Sequence, residues 1–99
     1  MATQFDVCRL SDQTLVVLLQ SDIIDILRTR LVAPLVPIKK AGRVIKGLNP
    51  QVEVAEQIYV LMPQLSASLP ATELTVHVGS TAYMRDDIIR SLDLLFTGF

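Results

Sequence analysis

Apolar and polar positions fall into short alternating runs along most of this chain, and the period changes once, near Thr81. Residues 5–10 and 14–20 read as two strands. Ser11-Asp12-Gln13 between them reads as a hairpin turn, because short polar side chains bond their own backbone. Residues 30–38, rich in β-branched and apolar side chains, predict a third strand. Pro34 and Pro37 cannot donate to a ladder, so this strand needs an edge, a bulge or a bend. Gly42, Gly47 and Asn49-Pro50 mark the next stretch as loop. Residues 51–55 and 57–62 predict a hairpin around Ala55-Glu56, and shorter strands are expected near 66–69 and 74–78.

Beyond Thr81 the apolar residues at 84, 88, 92, 95, 96 and 99 follow the three-to-four spacing of one helix face. Ser80 or Thr81 is placed to cap the start, and Gly98 to supply the stop. Ile89 and Leu94 lie off that face. One side of the helix is therefore expected to pack on the sheet and another to meet a partner chain, with Leu92 and Leu95 near a two-fold axis. The expected class is mainly β with one C-terminal α-helix, as a small barrel or curled sheet closed by that helix.

At 99 residues the chain makes one domain, 1–99, with a thin core. Its 51% hydrophobic content exceeds what so small a domain easily hides, which again points to a homodimer. The net charge of −1 excludes a general nucleic-acid binder, whose affinity comes from neutralising phosphates. The charge is unevenly spread. Residues 26–52 hold Arg28, Arg30, Lys39, Lys40, Arg43 and Lys46 with no acid, between segments of net −3 and −4. That middle third reads as a solvated face or as a surface for an acidic partner. Cys8 stands alone, so no internal disulfide is expected, in keeping with a reducing cytoplasm. No signal peptide and no membrane-spanning stretch is expected.

Catalytic chemistry is nearly absent from the sequence. His77 is the single histidine and reads as a strand residue, so no metal site or cofactor is expected. Asp22 and Asp25 are spaced for acid–base work but read first as turn-capping residues. Arg28-Thr29-Arg30 could steady a phosphate and a scissile 2′-hydroxyl, which keeps a metal-free ribonuclease as an alternative. Two segments depart from the general pattern. In Gln20-Ser21-Asp22-Ile23-Ile24-Asp25, consecutive isoleucines occupy a turn that should be polar: they tuck into the core or form a contact patch. In Phe96-Thr97-Gly98-Phe99, the helix runs into a glycine flanked by apolar anchors.

Taken in order, a set of segments resembles the CcdB family of toxins from bacterial toxin–antitoxin modules. It comprises Gln4-Phe5, residues 20–25, Arg30-Leu31-Val32-Ala33-Pro34-Leu35 with Pro37-Ile38, Leu48-Asn49-Pro50, Tyr59-Val60-Leu61-Met62, Leu69-Pro70, Asp87-Ile88-Ile89 and residues 95–99. The resemblance implies an SH3-like small β-barrel, shared with the MazF and Kid toxins, plus a short accessory sheet. It implies a non-enzymatic homodimer that binds the A subunit of DNA gyrase and traps the gyrase–DNA cleavage complex. It implies a CcdA-like antitoxin, and repression of its own operon through operator DNA only together with that antitoxin. Carried over residue by residue, the gyrase contacts fall on Ser21, Ile23, Ile24, Asp93, Phe96, Thr97, Gly98 and Phe99. The best-known plasmid member has Trp where this chain has Thr97, Asn where it has Asp93, and Ile where it has Phe99. Thr97 removes a large aromatic surface. The alternatives are a MazF-type endoribonuclease toxin and a non-toxic relative that still binds an antitoxin.

Overall fold

A computed structural model describes residues 2–24 and 26–98. Among the described residues the strands are β1 (Asp6–Arg9), β2 (Leu15–Leu18), β3 (Thr29–Pro37), β4 (Gln51–Val54), β5 (Gln57–Leu61), β6 (Ala67–Pro70) and β7 (Val76–Ser80), and helix α1 spans Arg85–Thr97. All pairings are antiparallel, in the order β4-β5-β3-β2-β1-β7, with β6 branching off β3. This is a curled, barrel-like sheet with one C-terminal helix, as the pattern of runs predicted.

β3 is the organising strand. Residues 32–35 pair with β2. On its other pairing side, residues 29–32 take β6 and residues 35–37 take β5. Pro34 falls between those two partners, where its missing N–H costs no ladder bond, and its carbonyl accepts the Met62 N–H at 3.0 Å. The expected accessory sheet is thus β6 laid on the first part of β3, continuous with the rest.

β2 is buried along its whole length, which accounts for its unbroken apolar run. Leu15 and Val17 face a core completed by Phe5, Val7, Leu35, Val52, Leu61 and Ile88. Val16 and Leu18 face a second, smaller cluster with Cys8, Val32 and Leu74. The branch carrying β6 covers that second face through Leu69.

The sheet's two ends approach each other. A Cβ on Gly79 of β7 would lie 3.3 Å from Val54 Cγ1 of β4, so glycine permits this approach. The Tyr83 hydroxyl spans the gap: it accepts the Glu53 N–H and donates to the Glu53 carbonyl, both at 2.8 Å. One side chain thereby satisfies two backbone groups of the β4 edge.

The β4–β5 hairpin falls where the sequence reading put it, with an unexpected backbone geometry, and two further local features differ from that reading. The β4–β5 hairpin closes through Ala55 and Glu56, both at positive φ, 52° and 66°. Two-residue hairpins favour this geometry, but neither residue type does. α1 begins at Arg85 after a 3-10 turn over residues 82–84, with no side-chain cap on the helix itself. Ser80 Oγ accepts the Ala82 N–H of the 3-10 turn, while the buried Thr81 hydroxyl donates to the Phe5 carbonyl. Finally, Ile88 and Ser91 are the buried positions of α1, and Phe96 points outward at 68% exposure.

Candidate partner-binding surface

The loop joining β2 to β3 opens with a 3-10 turn over Asp22–Ile24. The isoleucines do not tuck into the core. Ile23 is 90% exposed and Ile26 88%, and Ile24 and Leu27 are also exposed. What fixes the loop is polar. Gln20 Nε2 donates to the carbonyls of Ile24 at 3.2 Å and Thr29 at 3.4 Å, and Gln20 Oε1 accepts the Leu31 N–H at 3.3 Å. Asp22 Oδ1 accepts the Gln4 N–H at 2.8 Å, and Ser21 Oγ accepts the Ile23 N–H at 3.2 Å. Buried Arg30 donates from Nη1 to the carbonyls of Leu27 and Thr29. Ser21, Ile23 and Ile24 thus sit together on one pinned turn. Asp22 serves as a turn-holding residue; Asp25 lies outside the described residues.

The second group lies at the end of α1. Phe96 is exposed, and the Thr97 hydroxyl donates to the Asp93 carbonyl at 2.8 Å. Gly98 takes the left-handed conformation at φ 82°, and its N–H donates to the Leu94 carbonyl, the C-terminal stop its position suggested. Phe99 lies outside the described residues. Leu92 packs against the chain's own core and Leu95 is half-buried. Leu94 is half-buried, with its Cδ2 beside Gly47, where a Cβ would meet it at 3.5 Å. Part of the helix's second apolar side is therefore occupied within the chain.

Within the basic middle third Arg30 is buried, while the loop after β3 is an exposed surface. Lys39, Lys40, Arg43 and Lys46 are exposed, as are Ile38, Val44 and Ile45 among them. Asn49 anchors this loop from inside: Oδ1 accepts the Ile45 N–H, and Nδ2 donates to Leu61 O and Gln64 Oε1.

His77 Nε2 lies 3.2 Å from Asp6 Oδ2, joining β7 to β1 beside a register shift at Val7/Cys8. The two residues and Arg30 line an open recess of about 550 Å³. Burial pushes the Cys8 thiol above its ordinary pKa, and the Asp6 carboxylate adds to the effect. Such a thiol is a poor nucleophile. Among the described residues no cluster of histidine, cysteine and carboxylates could hold a metal, and no helix is long and apolar enough to cross a membrane.

The family model for the CcdB protein matches residues 4–98 of this chain. The chain belongs to the CcdB family. That membership makes it a toxin of a toxin–antitoxin module, with an antitoxin as its partner. No curated protein matches the chain. The described residues that the resemblance carries over as contacts lie on two elements, the β2–β3 loop and the end of α1; the sequence reading missed that Gln20 and Arg30 hold the loop. It also missed Ile26 and Leu27, which enlarge its apolar surface. Periodicity cannot reveal such roles, since polar loop residues carry no repeat.

Proposed function

We propose that this CcdB-family toxin acts in the cytoplasm as a homodimer that binds the A subunit of DNA gyrase and traps the gyrase–DNA cleavage complex. The observation that carries this reading is the β2–β3 loop, whose isoleucines face solvent on a backbone fixed by polar contacts. A soluble protein keeps such residues outward where a partner covers them. Ser21, Ile23 and Ile24 form one contact group, and Asp93, Phe96, Thr97, Gly98 and Phe99 the other. Leu95 and the accessible part of Leu92 meet the second protomer. Binding, not turnover, is the mechanism: the toxin acts stoichiometrically, by adding contacts to one state of another enzyme's cycle.

The exposed basic loop bearing Lys39, Lys40, Arg43 and Lys46, with Val44 and Ile45 between, suits an acidic, partly apolar antitoxin segment. With the overall charge near zero, operator DNA is bound only through the antitoxin. Supercoiling by purified gyrase tests the reading. Activity should fall as toxin approaches the gyrase concentration and recover on adding antitoxin; full supercoiling at tenfold excess toxin would refute it.

A further inference from the structure

Between Ile38 and Pro50 the chain crosses from β3 to β4 and buries a single residue, Asn49, at 4% exposure. No side chain of this loop belongs to either core cluster. Its hold is polar instead. The Asn49 N–H donates to the Ile45 carbonyl and Asn49 Oδ1 accepts the Ile45 N–H, both at 3.0 Å, so one residue occupies both backbone groups of Ile45. Asn49 Nδ2 ties this pair to the end of β5 and the turn beyond it, through Leu61 O at 3.0 Å and Gln64 Oε1 at 2.9 Å. Ile45 itself stays 51% exposed, between exposed Val44 and Lys46. An apolar side chain is thus held outward on a backbone fixed from beneath, which leaves little freedom to lose on docking.

The charges decide the occupant. Lys39, Lys40, Arg43 and Lys46 lie in this loop, and the loop contains no acid. Acids do flank it: Asp93 on α1, next to the Leu94 that meets Gly47, and Glu53 and Glu56 on the β4–β5 hairpin. Among the described residues none of these acids comes within 4 Å of the four cations. The surface therefore suits an acidic segment with an aliphatic side chain of its own.

We propose that Asn49 is a positioning residue for antitoxin binding, which presents Ile45 to an acidic segment of the antitoxin. The inference rests on the antitoxin-binding role given to this loop above. Steering depends on the number of charges in the loop, whereas the fixed Ile45 backbone governs how long the complex lasts. Without the Asn49 side chain at least one residue must be ordered on docking, which weakens affinity by about tenfold.

Association and dissociation rates with purified full-length cognate antitoxin, measured on the full chain across an ionic-strength series, test it. Asn49→Ala should raise koff by about tenfold, with kon and its salt dependence within about twofold of the parent. Ile45→Ser should raise koff comparably at an unchanged Tm. Gln64→Ala removes one anchor at an exposed position; it should raise koff by about twofold, and it replaces Asn49→Ala if that variant does not fold. Thr81→Val loses the hydroxyl bond to the Phe5 carbonyl outside this loop and is the stability control: Tm should fall with koff unchanged. A parent-like koff for Ile45→Ser, or for the Asn49 anchor variant, would overturn the inference. So would a rise in koff for Thr81→Val as large as that for Asn49→Ala. If replacing the four cations with glutamate left antitoxin binding parent-like, the antitoxin reading of this loop would fail as well; slowed association of that variant would leave it standing.

Discussion

Gln20→Glu separates how the β2–β3 loop is held from what it contacts. The glutamate keeps an acceptor for the Leu31 N–H but removes the donors that reach the Ile24 and Thr29 carbonyls. Those two bonds are long and solvent-exposed, so each contributes about 0.5 kcal/mol, the low end for hydrogen bonds. Losing both, and setting a negative charge against two carbonyl oxygens, should cost about 1 kcal/mol. For a domain of this size that is about 4–8 °C in Tm. Binding should suffer more than stability. Part of the loop would then be fixed only on docking, and ordering even one residue's backbone costs about 1–2 kcal/mol. A Kd for gyrase A subunit weakened by about tenfold or more follows, because each 1.4 kcal/mol is a factor of ten. Scanning calorimetry and binding titration on the same preparation read both quantities. A normal affinity in a variant whose Tm has fallen would refute the reasoning, since the loop would then dock equally well without its Gln20 brace.

Glu56→Gly should raise Tm, stabilising the fold by about 1 kcal/mol, because glycine adopts the left-handed φ of this hairpin without strain; thermal melts would check it. Cys8 gives the stability a pH dependence at alkaline pH. The folded state holds the thiol proton more tightly than the unfolded chain, whose thiol ionises near 9.0. The contribution is therefore complete below that value and lost as pH rises above it, so urea midpoints at pH 8 and 10 should differ more for the parent than for Cys8→Ala. Removing residues 97–99 deletes the Thr97 and Gly98 hydrogen bonds and should cost about 1 kcal/mol, yet abolish gyrase poisoning. A folded truncation of full potency would remove the helix end from the site. Replacing Lys39, Lys40, Arg43 and Lys46 with glutamate should weaken antitoxin binding and flatten its dependence on salt, as affinity measurements across an ionic-strength series would report.

How legible the fold was follows from where its periods lie. Strands β1 to β5 and the switch to helical spacing after Thr81 could be read from the sequence because each buries a regular set of positions, as Val7, Leu15, Val17, Leu35, Val52 and Leu61 do. The helix start was less legible. Thr81 resembles a cap, but tertiary packing commits its hydroxyl to the Phe5 carbonyl, a partner 76 residues away in the chain. Phe96 fits a helical face by spacing and yet points to solvent, while Ser91, polar by type, is buried with its hydroxyl satisfied by the Ile88 carbonyl. In the candidate site, Ile23 and Ile24 were visible as misplaced apolar residues, but spacing alone left open whether they faced inward or outward. Only the fold settles that, through the polar network of Gln20, Asp22 and Arg30 that pins the loop without burying them.

In the proposed function this toxin acts on gyrase caught in the act of cutting DNA. Purified gyrase, ATP and supercoiled plasmid are incubated with the toxin, and the reaction is stopped with detergent and protease before electrophoresis. Linear plasmid should accumulate with toxin concentration, and Ile23→Asp toxin should produce none. Absence of linear DNA at saturating toxin, or cleavage of RNA by the toxin in a gyrase-free reaction, would contradict the account.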